Sequence, residues 1–147
     1  MLTKWDYKFI DVARLISTWS KDPSKQIGAV IISENRNIIS TGYNGFFRGD
    51  LDETKENYLN REIKYKRIIH AEANAIYNAL HNGSSVKGAT IYIWGLPACH
   101  ECAKAIIQSG ITKVVCPVIS ADSKWVESCT DAIDFFEMAG IEVVFYD

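Results

Sequence analysis

Ala89-Thr90-Ile91-Tyr92-Ile93-Trp94, then Ala103, Ile106 and Ile107 at helical spacing up to Gly110, then Lys113-Val114-Val115-Cys116: the stretch from 89 to 116 decides the fold. Two compact apolar runs of strand length flank a stripe of helical period. The pattern then repeats. Trp125, Cys129, Ala132 and Phe136 mark a second helix stopped by Gly140, and Ile141-Glu142-Val143-Val144-Phe145 a third strand. Strands that alternate with helices pair in parallel through right-handed crossovers.

Upstream, Ala73, Ile76 and Leu80 form a helical stripe ended by Asn82-Gly83. Ile27-Gly28-Ala29-Val30-Ile31-Ile32 and Ile38-Ile39-Ser40-Thr41 read as a hairpin around the Glu34–Asn37 turn, closed by Gly42-Tyr43-Asn44-Gly45, so the sheet is mixed. Thr3-Lys4-Trp5-Asp6 reads as a capping box. Trp5, Phe9, Val12, Ile16 and Trp19 follow as a core-facing stripe, and Lys21-Asp22-Pro23 ends that first helix. The predicted order is α-β-β-α-β-α-β-α-β, a single α/β domain over residues 1–147 with no repeat and no linker. From Arg48 to Arg67, 11 of 20 residues are charged, six basic and five acidic. That composition predicts a solvated face or mobile insertion, with helix near Leu59–Tyr65.

The chain has 147 residues, 48% of them hydrophobic, which suffices for one good core. No apolar run approaches the roughly 18 residues of a membrane span. Met1-Leu2-Thr3-Lys4-Trp5-Asp6 lacks an export signature, which favours the cytoplasm. A net charge of −2 lacks the basic surplus that long nucleic acid demands, and leaves room for a small anion held by a few local cations. A disulfide framework is not expected of four cysteines in such a chain. Cys116 and Cys129 sit in apolar surroundings and read as core.

Cys99 and Cys102 are different. Three apart at a strand-to-helix junction, both thiols lie on one face of a first helical turn, where the helix N-terminus favours thiolates. Alone, the pair fits either redox chemistry or half of a structural zinc site. His70, also where a loop enters a helix, adds a third ligand. Three ligands without an obvious fourth fit a catalytic zinc whose remaining position is open to water. Zinc lowers the pKa of a water it binds from about 15.7 to about 7. Glu72 stands beside His70 without being a ligand, placed to move protons between that water, a ring nitrogen and a leaving amine. These are the parts needed to deaminate a heteroaromatic amine by hydrolysis. Glu101 should point away from the metal, and His81 and His100 read as cap or core residues.

These motifs, together with Ser20-Lys21-Asp22-Pro23-Ser24, Gly28-Ala29-Val30-Ile31, Gly42-Tyr43-Asn44-Gly45, His70-Ala71-Glu72-Ala73-Asn74-Ala75-Ile76 and Cys99-His100-Glu101-Cys102-Ala103-Lys104, resemble the cytidine and deoxycytidylate deaminase superfamily over almost the whole chain. Within it the chain is most similar to deoxycytidylate (dCMP) deaminases, phage-encoded ones included. The resemblance implies a three-layer α/β/α fold with a mixed five-stranded sheet. It implies hydrolysis of dCMP to dUMP and ammonia, with zinc on His70, Cys99 and Cys102, and Glu72 as proton shuttle. The main chain at Ala71 would face the pyrimidine carbonyl and Asn44 the sugar. Arg67 and Arg48 are the candidates for the phosphate. Control by dCTP (activator, with Mg2+) and dTTP (inhibitor), a homo-oligomer with a hexamer favoured, and a host cytoplasmic location for a phage-encoded chain also follow from the resemblance.

One departure is local: Pro97-Ala98-Cys99 inserts a residue where the family commonly has proline directly before the first cysteine. Other readings remain open on sequence grounds. They are a tRNA adenosine deaminase, which the acidic balance disfavours; a free-base or nucleoside deaminase, which would leave Arg48 and Arg67 without a phosphate; and a zinc-stabilised binding module, which would have no use for Glu72. Asn44 has a plainer alternative as a left-handed turn residue.

Overall fold

The structure, a computed structural model, describes residues 1–147. Helix α1 (Lys4–Ser17) leads to the antiparallel strands β1 (Gly28–Ile32) and β2 (Ile38–Tyr43). A short strand β3 (Gly45–Phe46), helices α2 (Lys55–Leu59) and α3 (Arg61–Arg67) and strand β4 (Ile68–Ile69) come next. Then α4 (Ala71–His81), β5 (Thr90–Trp94), α5 (His100–Ser109), β6 (Lys113–Pro117), α6 (Val126–Met138) and β7 (Glu142–Tyr146) complete the chain. The main sheet runs β2-β1-β5-β6-β7. β1 is antiparallel to both neighbours, whereas β5, β6 and β7 are mutually parallel. The mixed sheet expected from the sequence is thus present.

Strand alternation sends successive side chains to opposite faces, and each face has its own helical layer. Ala29, Ile31, Ile91, Ile93, Val114 and Cys116 pack with α4, α5 and α6. Val30, Ile32, Tyr92 and Val115 meet Phe9, Ile10 and Ala13 of α1 on the other side. The capping box at Thr3 and Asp6 is formed. Asp6 is buried, and its second oxygen accepts from the Tyr92 hydroxyl at 2.7 Å, tying the α1 N-terminus to the middle of the sheet. The expected α1 stripe needs one correction. The helix ends at Ser17, so Trp19 leaves the core face and is exposed. No helix is long and apolar enough to cross a membrane.

The charged segment departs most from expectation. It folds into α2 and α3, framed by β3 and β4 paired Gly45↔Ile69 and Phe46↔Ile68. Tyr58 is buried, stacks on Phe46 with ring centroids 4.2 Å apart, and gives its hydroxyl to Glu53. One aromatic anchor and local caps (Thr54 on α2, Asn60 on α3) therefore order a stretch whose composition suggests a solvated surface. The small sheet also has a consequence for chemistry. Asn44 precedes β3 and His70 follows β4, so their pairing draws these two residues together.

Gly42 sets the depth at which α4 sits. A Cβ there would lie 2.3 Å from the Ala75 nitrogen and 2.5 Å from the Ala71 carbonyl oxygen, both backbone atoms of α4. Overpacking of this kind costs typically 1–3 kcal/mol, roughly, and backbone atoms cannot rotate away. Gly42→Ala is expected to destabilise the protein by about 2 kcal/mol or more, read as a lower urea midpoint with unchanged slope. An unchanged midpoint would mean that α4 does not rest on β2 at this depth.

Candidate active site

His70 is the N-cap of α4 and Cys99 the N-cap of α5, so two facing helix N-termini supply the cluster. The Cys99 Sγ accepts from the Cys102 backbone N–H at 3.4 Å. The His70 Nδ1 lies 3.4 Å from the Sγ of Cys99 and 3.4 Å from that of Cys102. Their potential ligand atoms all fall within 4.8 Å of one another. One imidazole nitrogen and two sulfurs so gathered match the borderline-soft donor set of zinc, and three protein ligands are the complement of a catalytic rather than a closed site. The electrostatics agree. Hydrogen bonding from Cys102, and then from His70, holds the Cys99 thiol well below its ordinary range. Bonding to Cys99 pushes the His70 imidazole up. The bond to Cys99 and burial push Cys102 up.

Glu72 lies one turn position beyond His70 and is almost fully buried. Burial pushes its carboxyl up to about 7, against the opposing pull of the His70 charge. It therefore exchanges protons near neutrality, as a proton shuttle needs to. Glu101 points outward, pairing with Lys104 at 2.8 Å. His100 binds the Ser128 hydroxyl at 2.7 Å through Nδ1, and His81 ends α4 in solvent. Glu101 points away as expected, whereas His81 and His100, expected as cap or core residues, are neither: Asn82 and Cys99 are the caps, and both histidine side chains reach solvent.

His70, Glu72 and Cys99 form the floor of a cavity of about 710 Å³, within the usual size for a small-molecule site. Ser24, Lys25, Ile27 and Asn44 make one wall, and Lys64, Tyr65 and Ile68 another. Leu96, Pro97, Ser123, Lys124, Trp125 and Cys129 complete the rim. The inserted Ala98 is buried in the core, so Pro97 still reaches the cavity and accepts the Cys129 thiol on its carbonyl. Cys116 and Cys129 are buried, as expected, although Cys129 borders the cavity.

Asn44 is in the wall, but not as a left-handed turn residue; the only non-glycine residue with positive φ is Arg36. Its Nδ2 donates to Asp22 and to the Lys25 carbonyl, and its Oδ1 accepts from the Ile27 N–H at 2.9 Å. One acceptor lone pair remains. Ala71, the first residue of α4, offers one of the main-chain N–H groups that a helix start leaves without an intrahelical partner.

The two arginines go elsewhere. Arg48 binds the side chain of Asn78, Arg67 pairs with Asp50 at 3.4 Å, and neither lines the cavity. The cations that do line it are Lys25, Lys64 and Lys124, which the sequence reading missed. Lys25 follows directly on the Ser20–Ser24 segment, a signal that was available. Lys64 had none, since it lies in the charged segment that reads as a solvated face, and Lys124 stands between strand and helix where no motif marks it. Trp125, expected in the core stripe of the last helix, is instead the residue before α6 and half-exposed at the cavity rim.

The family description "cytidine and deoxycytidylate deaminase zinc-binding region" matches residues 3–118, which include both helix N-termini. The uncharacterized deaminase of the luxG 3′ region of Aliivibrio fischeri is 44% identical over 97% of this chain and 94% of its own length. The deoxycytidylate deaminase of Mus musculus is 40% identical over 94% of this chain and 77% of its own. That of Enterobacteria phage T4 is 36% identical over 72% of this chain and 74% of its own. Among solved structures, the dCMP deaminase of cyanophage S-TIM5 in complex with dCMP and dUMP superimposes with a TM-score of 0.79, covering 99% of both chains at 25% identity. With the zinc-binding description spanning the His70, Cys99 and Cys102 cluster, this chain belongs to the cytidine and deoxycytidylate deaminase family.

Proposed function

We propose that this protein hydrolyses dCMP to dUMP and ammonia in the cavity above His70, Cys99 and Cys102. The observation that carries the reading is the buried Glu72 beside a three-ligand metal cluster, under a rim that carries cations. The same activity is named for relatives that cover most of the chain.

His70, Cys99 and Cys102 would hold zinc, which supplies an acidified water as nucleophile. The remaining work falls to the chain's own residues. Glu72 takes a proton from the attacking water and delivers it to the ring nitrogen next to the reacting carbon. It then takes the second proton from the oxygen now bonded to that carbon and gives it to the amine as the C–N bond breaks, so ammonia leaves and the carbonyl of dUMP forms. The Ala71 N–H meets the pyrimidine carbonyl, and the free lone pair of Asn44 accepts from the sugar hydroxyl. For the phosphate, Lys25 and Lys124 take the role expected of Arg48 and Arg67. They line the cavity and form no ion pair, whereas the arginines are bonded outside it. The 147 residues act as one catalytic domain in the cytoplasm. The family resemblance extends the proposal to a homo-oligomer, a hexamer favoured, activated by dCTP with Mg2+ and inhibited by dTTP. A flat rate on titrating either nucleotide removes that extension.

The direct test measures ammonia released by the zinc-loaded protein from dCMP, CMP, deoxycytidine, cytosine and an adenosine-bearing tRNA arm. One or two charge-assisted hydrogen bonds to phosphate should favour dCMP over deoxycytidine by roughly 10- to 100-fold in kcat/KM. Equal turnover of deoxycytidine would overturn the phosphate assignment, and preference for the tRNA arm would overturn the substrate class.

A further inference from the structure

We propose that Asp22 and Lys64 form a positioning pair that holds α3 as the wall of the substrate cavity, so that an ion pair rather than apolar docking sets how the cavity closes. The proposal rests on the reading of this cavity as the substrate site. Helix α3 has no fully buried residue, its one aliphatic side chain, Ile63, being only half-buried, so apolar packing holds it weakly. Its side-chain bonds within the charged segment, Arg67 to Asp50 and Lys66 to Glu62, travel with it. Its one side-chain bond to the rest of the protein is Lys64 Nζ to Asp22 Oδ2 at 2.8 Å.

Asp22 is well placed to be the fixed end. Its side chain is 2% exposed, against 19% for that of Lys64. Its Oδ1 accepts from the backbone N–H groups of Ser24 at 2.9 Å and Lys25 at 3.4 Å. Its Oδ2 accepts from the Asn44 amide at 3.3 Å as well as from Lys64. One carboxylate thus joins the loop bearing Lys25, the Asn44 wall and the α3 wall. All four partners of that carboxylate line the cavity. The Lys64 charge is matched by Asp22, which separates its role from that of the unpaired Lys25 and Lys124. Removing one member of a shielded pair leaves the other charge without its partner, and a wall with no fully buried side chain of its own then loosens.

The test uses full-length, zinc-loaded Lys64→Met, Asp22→Asn and the double variant, with two independent readouts. Hydrogen exchange of the substrate-free protein reports α3 directly. Amides of residues 61–67 should exchange at least roughly tenfold faster in both single variants, a change equivalent to about 1.4 kcal/mol, with zinc content unchanged and Lys64→Arg restoring protection. Kinetically, both single variants should raise KM for dCMP and for deoxycytidine by similar factors and leave kcat little changed. The double variant should be no worse than the worse single one, because the two side chains act as one unit. Unchanged exchange in Lys64→Met overturns the proposal. So does a KM increase confined to dCMP, which would make Lys64 a phosphate ligand, and so does additivity of the two single effects. If Asp22→Asn does not fold, the exchange of Lys64→Met against Lys64→Arg decides alone. If another substrate replaces dCMP, the exchange readout still stands, so the two ideas fail separately.

Discussion

Glu72→Ala is expected to bind zinc as the parent does and to lose roughly 10²–10⁴-fold in kcat, the usual share of a general acid–base group. The two halves of that expectation come from different atoms. The metal cluster consists of His70, Cys99 and Cys102 alone, so truncating Glu72 removes no ligand. Proton transfer, by contrast, has no substitute close by. Glu101, the nearest acidic residue in sequence to the cysteines, faces solvent and pairs with Lys104. The other carboxylate in the cavity wall, Asp22, has its oxygens engaged by Ser24, Lys25, Asn44 and Lys64. Glu72→Gln keeps the shape and removes the exchangeable carboxyl proton, so it should fall almost as far. Metal content measured on the same preparations as the steady-state rate checks both halves. A variant that retains zinc and deaminates near the parental rate would remove the proton-shuttle role. One that loses zinc would make Glu72 part of the metal site.

What the sequence made legible follows the range of the interactions involved. The β5-α5-β6-α6-β7 half could be read because each strand is a continuous apolar run and each helix a periodic stripe, ended by Gly110 or Gly140, both of which adopt positive φ. The site could be read because each helix N-terminus concentrates its groups within a few residues: the ligand His70 and the carboxyl of Glu72 on one, the ligands Cys99 and Cys102 on the other. The charged segment could not. Its order depends on Tyr58 stacking on Phe46 across 12 positions of sequence, and on two-residue strands too short to show a period. The basic rim of the cavity was hidden for a related reason. Lys25, Lys64 and Lys124 come from three separate loops and helices that only the folded chain brings together, so the most conspicuous cations in sequence, Arg48 and Arg67, drew the assignment instead. Trp125 shows the same limit at one residue. Helical spacing places it in the stripe of α6, but the helix starts one residue later and leaves the ring at the rim.

Loss of the metal should be as damaging as loss of Glu72, and by a distinguishable route. Cys102→Ala or His70→Ala is expected to lower both zinc content and kcat by more than roughly 100-fold, beyond the 10–100-fold typical for groups that merely support a ligand. The parent stripped by a chelator should show the same rate and recover it in proportion to zinc returned. Uptake should release a proton, because the bond to Cys99 and burial push the Cys102 thiol up, so it must give up its proton to bind metal. Zinc at 100 times its dissociation constant should also stabilise the fold by about 2.7 kcal/mol, seen as a higher melting temperature. The two cysteines should not be equivalent in that measurement. Cys102 is buried in the main core cluster, so its truncation also removes packing, whereas Cys99 is half-buried at the cavity floor. Cys99→Ala should therefore cost less stability than Cys102→Ala in metal-free protein while costing as much activity. A ligand variant that keeps its rate with no zinc bound would show that the cluster only braces the junction of α4 and α5, and that the chemistry above Glu72 needs no metal.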